Sequence, residues 1–324
     1  VLFRRQRQMC IRDRSNNYSL LLQRVKTRRN FESTCTRGCM SGEALYRVGH
    51  SPDPDDAFMF HAMTTGAIDT GERRYEHVLL DIETLNQHAM NGDYEVSAVS
   101  IHSFPDISDK YHLMNCGASM GEGYGPMIIS REEMTVEEAK NKVFAIPGFG
   151  TSAYLSLRLA LGDVDCKVVP FDEIMPSVKS GEYDVGVIIH EGQLTWKDEG
   201  VSLVLDLGIW WNEETGLPLP LGGNVVRKDL GLEMCGRITE DVRNSIEHSL
   251  SNPEDALKFA KKWGRGIDDE TNEEFVGMYV NKRTLDYGDD GREAIRLFLR
   301  KGQEIGMIRS DLEVDSIVFV GSGE

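Results

Sequence analysis

Gly92-Asp-Tyr-Glu-Val96 and Gly181-Glu-Tyr-Asp-Val185 match in residue type at every position. Each follows a stretch with helical periodicity and leads into an apolar run, over residues 83–101 and 172–190. A glycine commonly ends a helix, and a short apolar run after it is typical of a buried strand. In open α/β sheets, ligands bind beyond the carboxyl ends of the strands. Two such units therefore predict two similar lobes that face one cleft.

Short apolar strands alternate with amphipathic helices from Tyr46 onward, which predicts an α/β fold with mostly parallel strands. Chance similarity of a common element is the alternative explanation of the repeated unit. If the repeat is real, the chain leaves one lobe, builds the other and returns, which predicts a two-lobed clamshell. The expected lobes are 40–127 together with 227–324, and 128–226.

The charge of the chain is unevenly distributed. The whole sequence has 36 Lys+Arg and 53 Asp+Glu, a net charge of −17, whereas residues 1–39 hold ten basic and two acidic residues. An acidic protein is a poor partner for phosphate backbones, so we expect no nucleic acid. No apolar run reaches the length of a membrane span, and we expect no membrane partner.

The basic head at 1–39 has two interpretations. Its composition is compatible with an organellar transit peptide. However, Gln8-Met-Cys-Ile-Arg-Asp-Arg14 resembles translated sequencing-adapter sequence, which favours a non-native or disordered head before a natural start at Met40. Without the head, nothing in the sequence directs the protein out of the cytoplasm, so we expect a cytoplasmic location.

Pro147-Gly-Phe-Gly-Thr-Ser152 lies between a predicted strand and a predicted helix. Backbone N–H groups at a helix N-terminus, with the hydroxyls of Thr151 and Ser152, form a small anion site that suits a carboxylate. The segment lacks the lysine of a phosphate-binding loop. A plain helix cap would explain the same two hydroxyl residues.

His190 ends the apolar strand that begins at Val185. A histidine at the carboxyl end of a strand faces the predicted cleft, and its near-neutral pKa suits proton transfer. A half-buried histidine bonded to backbone is the simpler alternative. His102 stands one position beyond the equivalent point of the first unit and is a weaker candidate.

Three other features have structural explanations. Asp53 is expected to N-cap a helix that starts at Pro54, and capping accounts for the neighbouring acids better than a metal site does. The glycine-rich run 117–126 is expected to be a flexible loop near the crossing between the lobes. Trp210-Trp211 is expected to be a lid or a core pair.

From Tyr46 to Ile308 the chain resembles the futalosine-pathway menaquinone enzymes, a family with the periplasmic-binding-protein type II fold. Five motifs in order carry the resemblance: Ser51-Pro-x-Pro-x-Asp56, Asp81-Ile-Glu-Thr-Leu-Asn86, Pro147-Gly-x-x-Thr-Ser152, Ile188-Ile-His-Glu191 and Thr215-Gly-Leu-Pro-Leu-Pro-Leu-Gly222. The resemblance is strongest to the branch of the family that releases 1,4-dihydroxy-6-naphthoate.

The resemblance implies a cofactor-free carbon–carbon lyase that opens cyclic dehypoxanthine futalosine, with no metal. Its general base is the histidine of the Ile-Ile-His-Glu motif, here His190. The family's ligand contacts fall on Asn86, Ser100, Thr151 and Ser152. The expected partner is a small aromatic carboxylate, and a homodimer is left open.

The sequence departs from the family pattern on the substrate side. The opening motif commonly reads Ser-Pro-Cys-Pro-Asn-Asp, and Asp53 and Asp55 replace the Cys and the Asn. Ala98 stands where some relatives have Lys, and His102 is an extra polar group. Three alternatives remain. One is a solute-binding protein, because the same fold serves transport. The second is a chorismate dehydratase of the same pathway, against which Ile188-Ile-His-Glu191 counts, and the third is a diverged paralogue that acts on a related aromatic acid.

Overall fold

A computed structural model describes residues 44–263 and 268–321. The basic head predicted at 1–39 lies outside the described residues. None of the helices in those two ranges combines the length and the apolar character that crossing a membrane requires.

The strands of the described residues are β1 to β12 in chain order. They are Ala44–His50 (β1), Arg73–Leu79 (β2), Val96–Ser100 (β3), Tyr111–Met114 (β4), Ser119–Gly121 (β5), Met127–Ser130 (β6), Phe144–Ile146 (β7), Cys166–Val168 (β8), Val185–Ile188 (β9), Ser202–Asp206 (β10), Leu219–Arg227 (β11) and Phe319–Val320 (β12).

The α-helices of the same residues are α1 to α14. They are Pro54–Met59 (α1), His61–Thr65 (α2), Ile82–Asn91 (α3), Phe104–Ile107 (α4), Val136–Ala139 (α5), Ser152–Leu161 (α6), Ile174–Ser180 (α7), Gly192–Thr195 (α8), Leu207–Thr215 (α9), Leu232–Ser251 (α10), Pro253–Ala260 (α11), Asp269–Tyr279 (α12), Lys282–Leu285 (α13) and Gly288–Glu304 (α14).

These strands form two sheets. The first has the order β12-β4-β11-β3-β1-β2, with β5 also paired to β11, and the second has the order β10-β6-β9-β7-β8. The chain passes from the first sheet to the second between β5 and β6, and returns between β10 and β11. This arrangement is the two-lobed α/β fold that the sequence predicts.

The pairing is mixed, so the expectation of mostly parallel strands was wrong. β1 is parallel to both β2 and β3, and β7 is parallel to β8 and β9. However, β11 is antiparallel to β3, β4 and β5, and β6 is antiparallel to β9 and β10. β6 and β11 are the first strands after each passage between the sheets, and both are antiparallel to the strands beside them.

The repeated unit has the same local structure in both sheets. α3 ends at Gly92 with φ 76°, and α7 ends at Gly181 with φ 77°; both glycines have left-handed backbone conformations. L-residues avoid this region, which explains the glycine in each unit. β3 and β9 follow and are buried along their whole length.

The C-terminal helices pack on the first sheet. Ile238, Val242 and Ile246 of α10 belong to one buried cluster with Val48 of β1 and Val96 of β3. Asp241, on the same helix, accepts hydrogen bonds from Arg73 Nε at 2.6 Å and Nη2 at 2.9 Å, and from the Tyr75 hydroxyl at 2.5 Å. The buried carboxylate therefore ties the edge strand β2 to α10.

The tryptophan pair belongs to the core. Trp211 of α9 is fully buried, its ring lies 5.4 Å from that of Phe298 in α14, and its indole N–H donates to the Pro218 carbonyl. Of the two expected roles, lid or core, the structure supports the second.

Candidate active site

One cavity between the two sheets collects most of the residues that the sequence analysis selected. Ser100, Thr151, Ser152 and His190 all line it, and its volume is about 120 Å³. Ser100 is the last residue of β3, and His190 follows β9 by two positions, so the ends of the two repeated units meet there. Asn86 does not line the cavity but lies behind Ser100.

His190 is fixed by its backbone, by a ring contact and by an acid. Its φ of 65° makes it the non-glycine residue with a positive φ among those described. Its imidazole lies 4.5 Å from the Phe171 ring, at 61° between the planes. Its Nδ1 is 2.9 Å from Oδ2 of Asp53. Such a backbone conformation in a non-glycine residue is costly and typical of functional sites.

Asp53 has the position that the sequence predicts but not the role. It precedes α1, whose first residue is Pro54, yet its side chain makes no capping bond. Instead, its Oδ2 accepts a 2.7 Å hydrogen bond from the Ser51 hydroxyl and faces His190. Helix capping can be read from local sequence, whereas a partner from another sheet cannot.

Two further acids follow Asp53 at this end of the cavity. Burial, reinforced by the charge of Asp53, raises the pKa of Asp55 to about 6. Burial also raises the pKa of Asp56 well above its usual range, although its Oδ2 accepts the Ser51 backbone N–H at 2.7 Å. This end of the cavity therefore disfavours additional negative charge.

Among the described residues, Asp53, His190 and Glu191 form a group that could hold a metal ion. They offer one ligand atom each, all within 4.8 Å of one another. Carboxylate and imidazole atoms are ligands that zinc accepts. The absence of a metal was predicted from the sequence and stays a prediction.

The N-terminus of α6 lines another part of the cavity. The Thr151 hydroxyl accepts from the Tyr154 N–H at 3.2 Å and donates to the Gly148 carbonyl. Ser152 Oγ donates to the Leu221 carbonyl and accepts from the His102 N–H. Both hydroxyls therefore make hydrogen bonds within the protein, and their contact with a bound anion remains a prediction.

The N-terminus of α6 offers a ligand backbone N–H groups. Within the described residues, the N–H groups of Ser152 and Ala153 donate to no protein acceptor, and both residues line the cavity. Unsatisfied N–H groups at a helix N-terminus attract anions. The cavity thus has an acceptor-rich acidic end at Asp53 and a donor end at α6.

Asn86 connects the two lobes behind the cavity. Its side chain accepts from the Ser100 N–H at 2.8 Å and donates to Ser100 Oγ at 3.1 Å. It also lies 3.4 Å from the Gly150 carbonyl, which accepts a 2.7 Å bond from Ser103 Oγ. Asn86 therefore fixes the position of Ser100 relative to the loop that precedes α6.

The residues that depart from the family pattern occupy different positions. Ala98 lines the cavity. His102 does not; its Nδ1 is 3.1 Å from the Thr151 carbonyl and its N–H bonds Ser152. Burial lowers the pKa of His102, so it acts as a neutral support of the α6 N-terminus.

Several cavity residues were missed from sequence. Gly117 and Ser119 line the cavity, and Ser119 begins β5, so Ser119–Gly121 of the glycine-rich run belong to a sheet, whereas the rest of the run lies outside strands and helices. Gln193 and Tyr279 also line it, and the Tyr279 hydroxyl donates to Gln193 Oε1 at 2.7 Å. No local signal joins such distant residues.

A family model described as menaquinone biosynthesis matches residues 46–304, most of the chain. The chain belongs to this menaquinone biosynthesis family. Among its relatives, a 1,4-dihydroxy-6-naphthoate synthase of Thermus thermophilus is 39% identical over 79% of this chain and 93% of its own length. One of Streptomyces coelicolor is 32% identical over 86% of this chain and its whole length. Membership assigns the chain to menaquinone biosynthesis, as an enzyme.

Solved structures agree with the fold of the family. A protein from Archaeoglobus fulgidus superposes with a TM-score of 0.78 at 42% identity, covering 82% of this chain and 98% of its own. A Candida albicans protein described as having the generic periplasmic binding protein fold gives 0.61 at 12% identity, covering 83% of this chain and 92% of its own. The predicted clamshell of the periplasmic-binding-protein type is confirmed.

Proposed function

We propose that the protein is a cofactor-free carbon–carbon lyase that converts cyclic dehypoxanthine futalosine to 1,4-dihydroxy-6-naphthoate, with His190 as general base. The observation that carries the proposal is a histidine on the wall of a cavity that is also lined by a helix N-terminus, where two N–H groups donate to no acceptor among the described residues. The naphthoate synthase name of the curated relatives supplies the substrate class. A cytoplasmic location is part of the proposal.

The polarity of the cavity favours one orientation of an aromatic acid. Its carboxylate would lie at the N–H groups of Ser152 and Ala153, because the helix end is electropositive and the Asp53 end is acidic. The reacting part of the substrate would then lie toward His190. Ser100, held by Asn86, also lines the cavity and would be a polar contact for the ring substituents.

A histidine base is suited to this kind of cleavage. When a base removes a hydroxyl proton, the oxygen electrons form a carbonyl and the adjacent carbon–carbon bond breaks. The electron pair of that bond goes to the other fragment, which becomes the aromatic product. Imidazole takes such a proton near neutral pH, and a closed cleft positions the reacting groups and excludes water.

The decisive experiment is incubation of the full chain with cyclic dehypoxanthine futalosine, without added metal or cofactor, and chromatography of the product. We expect 1,4-dihydroxy-6-naphthoate from the wild type and none from His190→Asn. Asparagine is a suitable replacement because it tolerates a positive φ better than most residues. The variant should therefore fold.

His88→Asn is the matched control, because His88 also pairs with an aspartate, Asp93, at 2.6 Å, but on the surface. It should retain full turnover. Tight binding by the wild type without product would refute the lyase and favour a solute-binding protein. Dehydration of chorismate instead would identify the other enzyme of the same pathway.

A further inference from the structure

Asp53 and His190 reach each other across the cleft from different sheets. Asp53 follows β1 of the first sheet, and His190 follows β9 of the second. Their side chains are 4% and 15% exposed, and 2.9 Å separates Oδ2 from Nδ1. A partly desolvated carboxylate at this distance makes a strong, directional hydrogen bond to an imidazole N–H.

Both members of the pair are held in place by other contacts. The Ser51 hydroxyl donates to the same Asp53 oxygen at 2.7 Å, and the rigid Pro54 follows. The His190 ring packs on Phe171, and the backbone φ of 65° sets its direction. The contact is therefore an arranged pair and not an incidental approach of two flexible side chains.

We propose that Asp53 is a positioning residue, which accepts the Nδ1 proton of His190 and so keeps the basic lone pair on Nε2. The inference rests on the proposed function, in which His190 is the base. It concerns one of the positions where this sequence departs from its family's opening motif. Nothing in family membership alone requires an acid there.

The chemistry of imidazole explains why such a partner matters. Neutral histidine carries its proton on either nitrogen, and a carboxylate at Nδ1 selects one tautomer. When Nε2 takes a proton, the same carboxylate stabilises the resulting imidazolium. Among the described residues, Asp55, whose pKa His190 lowers, and Glu191, which offers a carboxylate oxygen within 4.8 Å, are two further charged groups near the ring.

Hydrogen bonding and metal ligation predict different separations for this pair. Two ligand atoms on a tetrahedral zinc with bonds of about 2.0 Å lie roughly 3.3 Å apart. The observed 2.9 Å is a hydrogen-bond distance. We therefore infer a hydrogen bond between the two residues, and treatment with EDTA and zinc tests the metal alternative.

The test is the pH dependence of turnover in Asp53→Asn. We expect kcat to fall by about 100-fold or more, because an amide can donate to Nδ1 and then favours the wrong tautomer. KM should change much less than kcat. The acid limb of the pH profile should move to lower pH, because the base must be neutral and no longer has a carboxylate to stabilise its charged form.

Two further variants separate positioning from structure. Asp53→Glu keeps a carboxylate and should recover part of the lost kcat. Asp93→Asn removes the acid of the exposed His88–Asp93 pair, and its pH profile should match the wild type. If Asp53→Asn and Asp53→Glu lose the same fraction of kcat, and the acid limb of the pH profile stays where it is in the wild type, the inference is overturned.

Nitrogen-15 NMR of the histidine rings provides a readout that needs no substrate. The His190 signals, assigned by their loss in His190→Asn, should report a proton on Nδ1 in the wild type and a changed tautomer in Asp53→Asn. If the wild type lacks turnover but shows this tautomer, the proposed function fails and the pairing stands. A Nε2-protonated ring, or turnover abolished by EDTA and restored by zinc, would refute the pairing.

Discussion

The backbone conformation of His190 permits a direct measurement of how much free energy of unfolding the protein loses at this site. Its φ of 65° lies in the left-handed region, where an L-residue is strained and glycine is not. We therefore compare His190→Gly with His190→Ala. Both variants lose the same ring, including its contacts with Asp53 and Phe171. The difference in their stabilities reports the backbone conformation and little else.

The expected difference follows from two opposing effects. A left-handed conformation costs an L-residue roughly 1–2 kcal/mol. Glycine loses about 0.5–1 kcal/mol through its greater freedom in the unfolded chain. The central values of these two ranges give His190→Gly a net advantage over His190→Ala of about 0.75 kcal/mol, which corresponds to roughly 1.5–3 °C in Tm for a domain of this size.

Urea denaturation followed by circular dichroism, with thermal melts as a second measurement, tests this value. His190→Asn should fall between the other two, because asparagine tolerates positive φ. All three variants should lack turnover. If His190→Ala is as stable as His190→Gly, or more stable, the strain argument is refuted and the conformation at position 190 has no measurable cost.

Three other predictions follow from the same structure. Thr151→Val uncaps α6 and should weaken binding of the aromatic acid roughly two- to fivefold by calorimetry, whereas equal weakening of an uncharged analogue would count against a carboxylate site. The raised pKa of Asp55, about 6 against an ordinary 3.8, means that the folded state binds its proton more tightly. Stability should thus fall as pH rises from about 4 to 6, and urea midpoints should show a flatter profile for Asp55→Asn. Asp241→Ala leaves Arg73 without its buried partner and should cost about 3 kcal/mol or more in urea, whereas Glu240→Ala, at an exposed pair, should cost under about 1 kcal/mol.

The elements that could be predicted from sequence are those with local causes. The end of α3 at Gly92 and of α7 at Gly181 follows from the conformational freedom of glycine, which depends only on neighbouring residues. The Asp81 cap of α3 is likewise local, since its carboxylate accepts the Thr84 N–H at 3.0 Å. These features identified the two units that end at the cavity.

The elements that were missed depend on partners elsewhere in the chain. The helix that was expected to start at Pro54 is interrupted at Phe60, whose fully buried ring stacks on His50 at 4.5 Å. The run 117–126 has the composition of a loop, but its residues Ser119–Gly121 form β5, which pairs with the distant strand β11 of the same sheet. Tertiary pairing overrides local composition in both cases.

Asp53 illustrates the same limit within the site. Asp-Pro before a helix predicts a cap, and the residue does stand at the N-cap position. Its carboxylate instead lies 2.9 Å from His190 Nδ1, and a hydrogen bond to an ionised acceptor is stronger than one between neutral groups. Proximity of the two residues is set by the fold, so neither motif alone could indicate it.

The contacts across the cleft suggest why the base is assembled in this way. Asp53–His190, Tyr279–Gln193 and Ser103–Gly150 each join residues from different lobes. Separation of the lobes would break all three, so the carboxylate would orient the imidazole only when the cleft is closed. A solute-binding protein gains nothing from such coupling, because binding needs no oriented base. A lyase does, because its base is then set only when water is excluded.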